Sequence, residues 1–237
     1  MIRTMDTTRI ARLVIIAATI GIVGCTKDAP APVDLGSAYY PTNAGHWVEY
    51  QVDSSWVDQE NNIEGSLTYS LRERIENDFT DPEGRPAQRI LREVKDSLGN
   101  WGPKDVWWQM KDNFRVERAE ENLRKIKLVF PVRGSQTWNT NAENTLEPLE
   151  LTYDAWDEPW SANGLSFDST CLVRTTFVNN LVDTVRYFER YAKNVGLVYR
   201  QLDNSETQYV DTDDDGDWDI TYTVGTSLRM TVFAHGN

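Results

Sequence analysis

The residues whose types and spacing best suit binding chemistry form an acidic run near the C-terminus. Acidic side chains occupy every second position of this run: Asp211, Asp213, Asp215, Asp217 and Asp219. Gly216 follows the third of them. This is the pattern of a D-x-D-x-D-G calcium loop, in which carboxylate oxygens surround the cation and glycine permits the sharp turn. The run predicts a calcium site, and Ca²⁺ is the only cofactor that the sequence indicates.

The same run has an alternative interpretation as an ordinary hairpin. The twelfth position of a calcium loop carries a bidentate acid, whereas Tyr222 stands there in this chain. The flanking residues, 207–210 and 220–224, are typical of strands and not of helices. A two-residue turn at residues 215–216 would join these strands directly. The sequence leaves both interpretations open.

Tryptophan is the second feature that suits binding. The chain has 9 tryptophans, and those in strand-like runs are expected in the core. Trp138, Trp156 and Trp160 instead lie in loop-like sequence beside Asn, Asp or Pro. Exposed aromatic rings of this kind stack on sugars or anchor a protein partner. We predict these three tryptophans as a ligand or partner surface.

The sequence offers little for catalysis. It contains no G-x-S-x-G, no H-E-x-x-H, no P-loop and no Rossmann glycine pattern. His46 and His235 stand beside glycines without a spaced partner, which favours surface or terminal positions. Asp154, Asp157 and Glu158 supply the carboxylate pair of a glycosidase, but such pairs arise by chance in an acidic chain. We predict no catalytic residues and no enzyme.

The charge of the chain excludes some partners. The formal net charge is −13, from 37 acidic and 24 basic residues. Binding to a nucleic-acid backbone needs Lys and Arg, so we predict no nucleic-acid partner. The same charge disfavours a domain that lies flat on anionic lipid. An acidic surface mainly gives solubility and repels other anions.

An apolar run near the N-terminus predicts export. Residues 13–24 are almost entirely apolar or small, three arginines precede them, and Cys25 follows directly. This is the layout of a secretory signal peptide: a basic start, a short apolar centre and small residues at the cleavage site. The run is too short for a finished membrane span, which needs ~20 apolar residues.

The end of this run resembles the lipobox of bacterial lipoproteins. The resemblance implies that Cys25 takes a diacylglycerol thioether, that residues 1–24 are removed, and that the new amino group is acylated. Two or more acyl chains anchor a protein stably, so a membrane is the first predicted partner. Thr26 stands where an inner-membrane retention signal would favour Asp, which by resemblance favours the outer membrane, on its periplasmic or surface face. With Cys25 lipidated, Cys171 has no disulfide partner and is predicted to be a small buried residue.

The rest of the chain predicts one β domain behind a tether. Residues 25–38 contain prolines and glycine but no apolar periodicity, as in a lipidated flexible tether. Over residues 39–237, apolar residues recur with period two between turn residues. Only residues 118–125 suggest a turn or one short helix. The predicted fold is all-β: an antiparallel meander that forms a barrel, a half-barrel of the lipocalin or LolA kind, or a sandwich, with little helix.

Two segments of this domain resemble small envelope lipoproteins of the Bacteroidota with no assigned activity. The first segment contains Tyr39-Tyr40-Pro41 and Gly45-His46-Trp47-Val48-Glu49-Tyr50, and the second is Tyr191-Ala192-Lys193-Asn194-Val195-Gly196-Leu197-Val198-Tyr199. The motifs consist of aromatic residues in strands and glycine in turns. The resemblance therefore supports the fold and implies no active site.

Two functional hypotheses follow. In the first, the protein is a non-enzymatic, membrane-anchored lipoprotein of the bacterial envelope that acts as an accessory or scaffold subunit of an envelope assembly. Its partner would then be another envelope protein. In the second, the domain is a binding module that holds an apolar ligand or a glycan in a β shell, which for an apolar ligand requires an apolar cavity. The sequence does not decide between them.

Overall fold

The period-two pattern of the sequence builds one antiparallel sheet that curls into a nearly closed barrel. The computed structural model describes residues 33–176, 178–179, 182–217 and 219–237. Cys25, the predicted signal peptide and most of the predicted tether lie outside the described residues. Within these ranges the only helical element is one 3-10 turn, Ser37–Tyr39. No helix in this part of the chain has the length and apolarity to cross a bilayer.

Thirteen strands make up the sheet. They are β1 (Trp47–Asp58), β2 (Ile63–Thr80), β3 (Pro86–Lys95), β4 (Trp101–Lys111), β5 (Arg115–Glu120), β6 (Leu123–Val129), β7 (Thr137–Asn139), β8 (Glu150–Ala162), β9 (Leu165–Arg174), β10 (Val178–Asn179), β11 (Asp183–Ala192), β12 (Gly196–Val210) and β13 (Ile220–Gly236). Their order in the sheet is β6-β5-β4-β3-β2-β1-β13-β12-β11-β9-β8-β7, with β10 paired to β11. The predicted all-β antiparallel meander is confirmed.

Pairing of the first and last long strands shapes the barrel. β1 pairs with β13 from Trp47↔Gly236 to Asp58↔Val224, which leaves β6 and β7 as the two ends of the sheet. These ends meet: the Ile126 amide donates to the Thr140 carbonyl at 2.9 Å. The Trp138 indole N–H donates to the Ile126 carbonyl at 3.0 Å. The sheet therefore comes close to full closure at this seam.

Residues 118–125 form a hairpin, so the short helix considered for them is wrong. β5 and β6 pair on either side of a turn at Glu121 and Asn122, whose φ angles are 49° and 64°. Positive φ at both turn residues is the signature of a type I′ hairpin turn. The pattern was misleading because Arg118, Glu120 and Lys127 are buried charged residues, so polar side chains occupy interior positions of these strands.

The two segments that resemble Bacteroidota lipoproteins pack against each other at one end of the barrel. The Tyr50 hydroxyl donates to the Leu197 carbonyl at 2.9 Å, and the Tyr40 and Tyr191 ring centroids lie 5.8 Å apart. Gly196 has φ +90°, and a Cβ there would lie 3.2 Å from Pro41. Glycine is therefore needed for both its backbone conformation and this close approach.

The packed domain begins before residue 39. The Leu35 carbonyl accepts the Val132 amide at 2.9 Å, and the Ala38 carbonyl accepts the Asn194 amide at 2.7 Å. Residues 35–38, which the sequence assigns to the tether, are thus hydrogen-bonded to the domain. They hold Tyr39, which is 1 % exposed, in the core.

We expect Trp138→Ala to lower the free energy of unfolding by about 3–5 kcal/mol, because the indole is core packing at the barrel seam. The measurement is urea unfolding followed by circular dichroism. Trp156→Ala is the matched control, since Trp156 is 43 % exposed and its truncation should cost less than about 1 kcal/mol. Equal losses for the two variants would contradict the placement of Trp138 at a closed seam.

Candidate functional site

Charged side chains occupy the interior of the barrel. Seven of them are less than 10 % exposed and pair with one another: Glu73, Glu120, Glu189, Arg92, Arg118, Lys127 and Arg200. We call this set the interior charge cluster. Burial of a charge is costly unless the charge is paired and hydrogen-bonded. The contacts within the cluster therefore determine whether the interior is suited to catalysis or to ligand binding.

Glu189 is a fully buried carboxylate of the interior charge cluster. It accepts Lys127 Nζ at 2.6 Å, Arg200 Nε at 2.7 Å and the Tyr191 hydroxyl at 2.6 Å. Burial alone would raise the pKa of Glu189, but the Arg200 and Lys127 cations outweigh burial and lower it to about 2. The carboxylate stays ionised at neutral pH, so it cannot serve there as a general acid.

The other two carboxylates of the cluster are held in the same way. Glu73 accepts Arg92 Nε at 3.0 Å and Arg118 Nη2 at 2.5 Å, and Glu120 accepts Arg200 Nη2 at 2.9 Å. Burial opposes ionisation of both groups, yet the neighbouring cations lower both pKa values below the ordinary value. The cluster therefore joins strands from both halves of the barrel through ion pairs in which the three carboxylates are ionised.

A small cavity lies beside the interior charge cluster. Its volume is about 40 Å³, and its lining includes Tyr40, His46, Gln109 and Arg118. The Tyr40 hydroxyl and Arg118 Nε in this lining are buried without a hydrogen-bond partner. Ligand pockets span about 300–1,000 Å³, whereas a cavity of this size suits one or two water molecules. Among the described residues, the interior leaves no room for a lipid-sized apolar ligand.

We expect Glu189→Gln to lower the free energy of unfolding at pH 7 by about 3–5 kcal/mol, because it removes one partner of a buried ion pair. A carboxylate with a lowered pKa stabilises the fold above its ordinary pKa, and the contribution disappears as pH falls from 4.5 to about 2. Urea unfolding between pH 7 and pH 2 should therefore show a shallower decline for the variant than for the parent. Glu60→Gln, an exposed change in the turn after β1, should behave like the parent.

The three predicted surface tryptophans occupy different environments. Trp138 is 8 % exposed and lies in the core. Trp160 packs against the core, with its ring stacked on Phe167 at 6.1 Å. Trp156 is 43 % exposed. The structure does not bring the three together into one surface, and only Trp156 presents a largely exposed ring.

The two histidines have separate structural positions. His46 is 5 % exposed, and its Nε2–H donates to the Val195 carbonyl at 2.9 Å. The expected surface position is therefore wrong for His46, because it fills the contact between the two motif segments. His235 is exposed on β13, which confirms the surface position predicted for it, and partial desolvation together with the nearby His46 lowers its pKa.

Cys171 and Asp157, a candidate nucleophile and a candidate acid, lie in environments that disfavour those roles. Cys171 is fully buried, as predicted, and burial raises the pKa of its thiol, which disfavours the reactive thiolate. Asp157 accepts Lys193 Nζ at 2.8 Å, the Tyr39 hydroxyl at 3.0 Å and the Ser169 hydroxyl at 2.8 Å. The Lys193 hydrogen bond is the main reason that the pKa of Asp157 falls to about 2. Such a group cannot be the protonated acid of a glycosidase.

The acidic run forms a long loop and not a two-residue turn. The ladder between β12 and β13 ends at Val210↔Ile220, so residues 211–219 lie outside it. This corrects the tight turn considered at residues 215–216. In a two-residue turn Asp214 would face Asp217 directly across the ladder, and like charges in that position are destabilising, whereas in the longer loop neither residue belongs to the ladder.

Three of the five predicted calcium ligands come together in this loop. Oxygens of Asp211, Asp213 and Asp215 lie within 4.8 Å of one another. The Asp211 carboxylate also accepts the backbone amide of Gly216 at 2.9 Å. Asp219 instead accepts the Thr212 amide at 2.8 Å and closes the base of the loop. These residues have the oxygen chemistry that calcium prefers, and calcium binding stays a prediction.

The calcium prediction has a direct thermal test. Calcium at 100 times its Kd would add about 2.7 kcal/mol of stability, or roughly 5–10 °C in Tm for a domain of this size. We expect this rise over a chelator-treated sample in the parent and not in Asp213→Asn. The same Tm in calcium and in chelator would exclude a structural calcium site.

The sheet extends beyond the barrel at the end opposite the motif segments. Residues 54–67 and 203–227, which form the outer parts of β1, β2, β12 and β13 with their connecting loops, build an extension that we call the blade. No described residue of the blade is buried. Three large apolar residues are more than 40 % exposed there: Trp56 at 41 %, Ile63 at 52 % and Leu67 at 54 %.

The acidity of the chain is concentrated in the blade. Its two segments contain 11 Asp or Glu residues and no Lys or Arg, compared with a net charge of −13 for the whole chain. An open groove of about 750 Å³, lined mostly by small hydroxyl side chains and Gly225, crosses it. Sequence reasoning missed this surface, although the absence of basic residues from both segments was a visible signal.

The fold is distantly similar to two solved bacterial protein structures. No protein-family model matches the chain, and no curated protein matches it. A candidate lipoprotein of Parabacteroides distasonis is similar in structure, with TM-score 0.38, 11% identity, and coverage of 84% of this chain and 98% of the other. A candidate exported protein of Bacteroides fragilis, with a YmcC-like fold, has TM-score 0.37, 9% identity and the same coverages. At these values the similarity assigns no function.

Proposed function

We propose that this protein is a non-enzymatic lipoprotein of the bacterial envelope that acts as an accessory or scaffold subunit of an envelope assembly. The lipobox-like sequence that ends at Cys25 supports the membrane anchor, and its flanking residues favour the outer membrane. The fixed interior ion pairs and the inert Cys171 support a role without catalysis. The partner surface in this proposal is the blade.

The blade is the single observation that carries the proposal. The outer parts of β1, β2, β12 and β13, with the start of β11 paired to β12, continue past the core. The blade contains no buried described residue, so it adds nothing to the barrel interior. A sheet with two exposed faces gains little hydrophobic stabilisation of its own. Exposed large apolar residues on such a surface are typical of sites that contact another molecule. The blade contributes little to the stability of the fold, and a role in docking a partner would account for its presence.

Trp56 is the expected anchor of this surface. Its ring covers Gly65 so closely that a Cβ at that position would lie 2.3 Å from the indole. A large ring with a fixed position loses little conformational entropy when a partner covers it. Tryptophan is also enriched among the residues that contribute most to protein–protein binding. Trp56 therefore has the size, exposure and position expected of an interface anchor residue.

The alternative of an apolar ligand in a β shell receives little support. Charged groups and bulky side chains fill the interior, and the cavity there is about 40 Å³. A shell for lipid needs several hundred Å³ of apolar space. The glycan version of this hypothesis depended on three tryptophans, of which two pack in or against the core.

Affinity capture of the full lipidated chain from its native membrane in mild detergent tests the proposal. We expect a stoichiometric envelope protein to be captured with the parent chain. Trp56→Ala should weaken its retention by roughly thirtyfold, the equivalent of a hot-spot loss of about 2 kcal/mol. Quantitative mass spectrometry of the eluate measures this change.

Trp156→Ala is the matched control, because both tryptophans are similarly exposed, at 41 % and 43 %. Retention should be unchanged in this variant. A parent chain that captures no partner would overturn the scaffold function. Loss of the partner with Trp156→Ala alone would move the partner surface away from the blade.

A further inference from the structure

We propose that the blade binds a cationic, extended segment of its partner, which adds as a strand to the free edge of β2. This inference rests on the proposed function and specifies the chemistry of the partner. Three observations support it: an unpaired strand edge, apolar side chains along that edge, and a surrounding surface with a large excess of acidic side chains.

The outer part of β2 has a neighbour on one side only. β1 pairs with it over Asp58↔Ile63 to Trp47↔Arg74, whereas β3 pairs with β2 only from Leu71 onward. Residues 63–70 therefore carry an open edge of about 27 Å, at roughly 3.4 Å per residue. Main-chain N–H and C=O groups that point away from β1 along this edge can form a new ladder with an extended peptide.

This edge lacks the features that normally block strand addition. Natural edges carry lysine, proline, a bulge or a covering element. Residues 63–70 contain no Lys and no Pro, and their pairing with β1 has no register shift. Ile63 and Leu67 lie on the same face and are 52 % and 54 % exposed. An added strand would cover both side chains with its own alternate residues.

Charge complementarity selects the occupant. The blade carries 11 acidic residues and no basic ones, and Glu64 lies on the edge strand itself. In a segment that alternates basic and apolar residues, the basic side chains would be attracted by the negative potential of the blade, and the apolar side chains would cover Ile63 and Leu67. A second copy of this chain would instead bring its own acidic blade against the first, and like-charge contact disfavours that pairing.

The test uses the full chain in detergent and two synthetic peptides as probes. One is a capped ten-residue peptide of alternating Lys and Val, and the other has Glu in place of Lys. Hydrogen exchange followed by mass spectrometry should show that the Lys peptide slows exchange of residues 63–70 by about tenfold or more. The Glu peptide should have no effect, and 0.5 M NaCl should remove the protection, because salt screens exposed charges.

Leu67→Lys should weaken binding of the Lys peptide by about tenfold or more, because it places a cation on the edge. Leu98→Lys is the matched control: Leu98 is 85 % exposed in the turn between β3 and β4, and binding should not change. Equal protection by both peptides, or none by the Lys peptide, would overturn the inference. An edge already protected in a dimer of the free chain would also overturn it.

The capture experiment separates this inference from the proposed function. A partner that is retained by Leu67→Lys as firmly as by the parent would leave the scaffold function intact and overturn strand addition at β2. Absence of any partner would overturn the scaffold function, while the peptide experiment would still decide whether the edge accepts a cationic strand. The two failures therefore give different results.

Discussion

The rest of this structure depends on one constraint, which is that charges removed from water must be paired. Three glutamates and four cations lie inside the barrel, and each contacts an opposite charge. Loss of a single member would leave an uncompensated buried charge, which costs far more than loss of a surface pair. The interior is therefore fixed in composition and in geometry, and the space that a ligand would need is occupied.

This filled interior distinguishes the domain from ligand-carrying β shells. In such shells the inner face is apolar and encloses several hundred Å³. Here the inner positions of β5, β6 and β11 carry Arg118, Lys127 and Glu189, and they hold the strands together through side chains. The cavity that remains beside these ion pairs is about 40 Å³, which is too small for a lipid-sized ligand.

The two ends of the barrel have opposite electrostatic characters. At one end, the motif segments interlock through neutral groups such as Tyr50 and the Leu197 carbonyl. At the other end, the blade carries an excess of acidic charge and no Lys or Arg of its own, although Asp203 pairs with Arg186 on β11. Charges in the interior are paired because an unpaired charge is costly at low dielectric constant. Water around the blade screens its acidic side chains, so an excess of negative charge is tolerated there and produces a negative potential around the blade. Tight packing and unbalanced charge therefore occupy different ends of the same sheet.

The sequence by itself determined the all-β antiparallel class, because alternation of apolar and polar residues directly reports strands with one buried face. It also determined the burial of Cys171 and the acidity of the chain. It left residues 118–125 open between a turn, which is correct, and a short helix, which is wrong, and it placed His46 at the surface. Both errors arise because burial is inferred from apolar residue types, whereas charged residues and a histidine are buried here.

Only the tertiary structure decided which acids lie together and which tryptophan is exposed. Pairing of β1 with β13 joins two segments more than 130 residues apart into the blade, and no local pattern encodes that distance. Likewise, Trp138 and Trp156 have similar sequence surroundings, yet closure of the β6–β7 seam buries one and leaves the other exposed. Long-range strand pairing is set by the whole chain, so its consequences appear only in the folded protein.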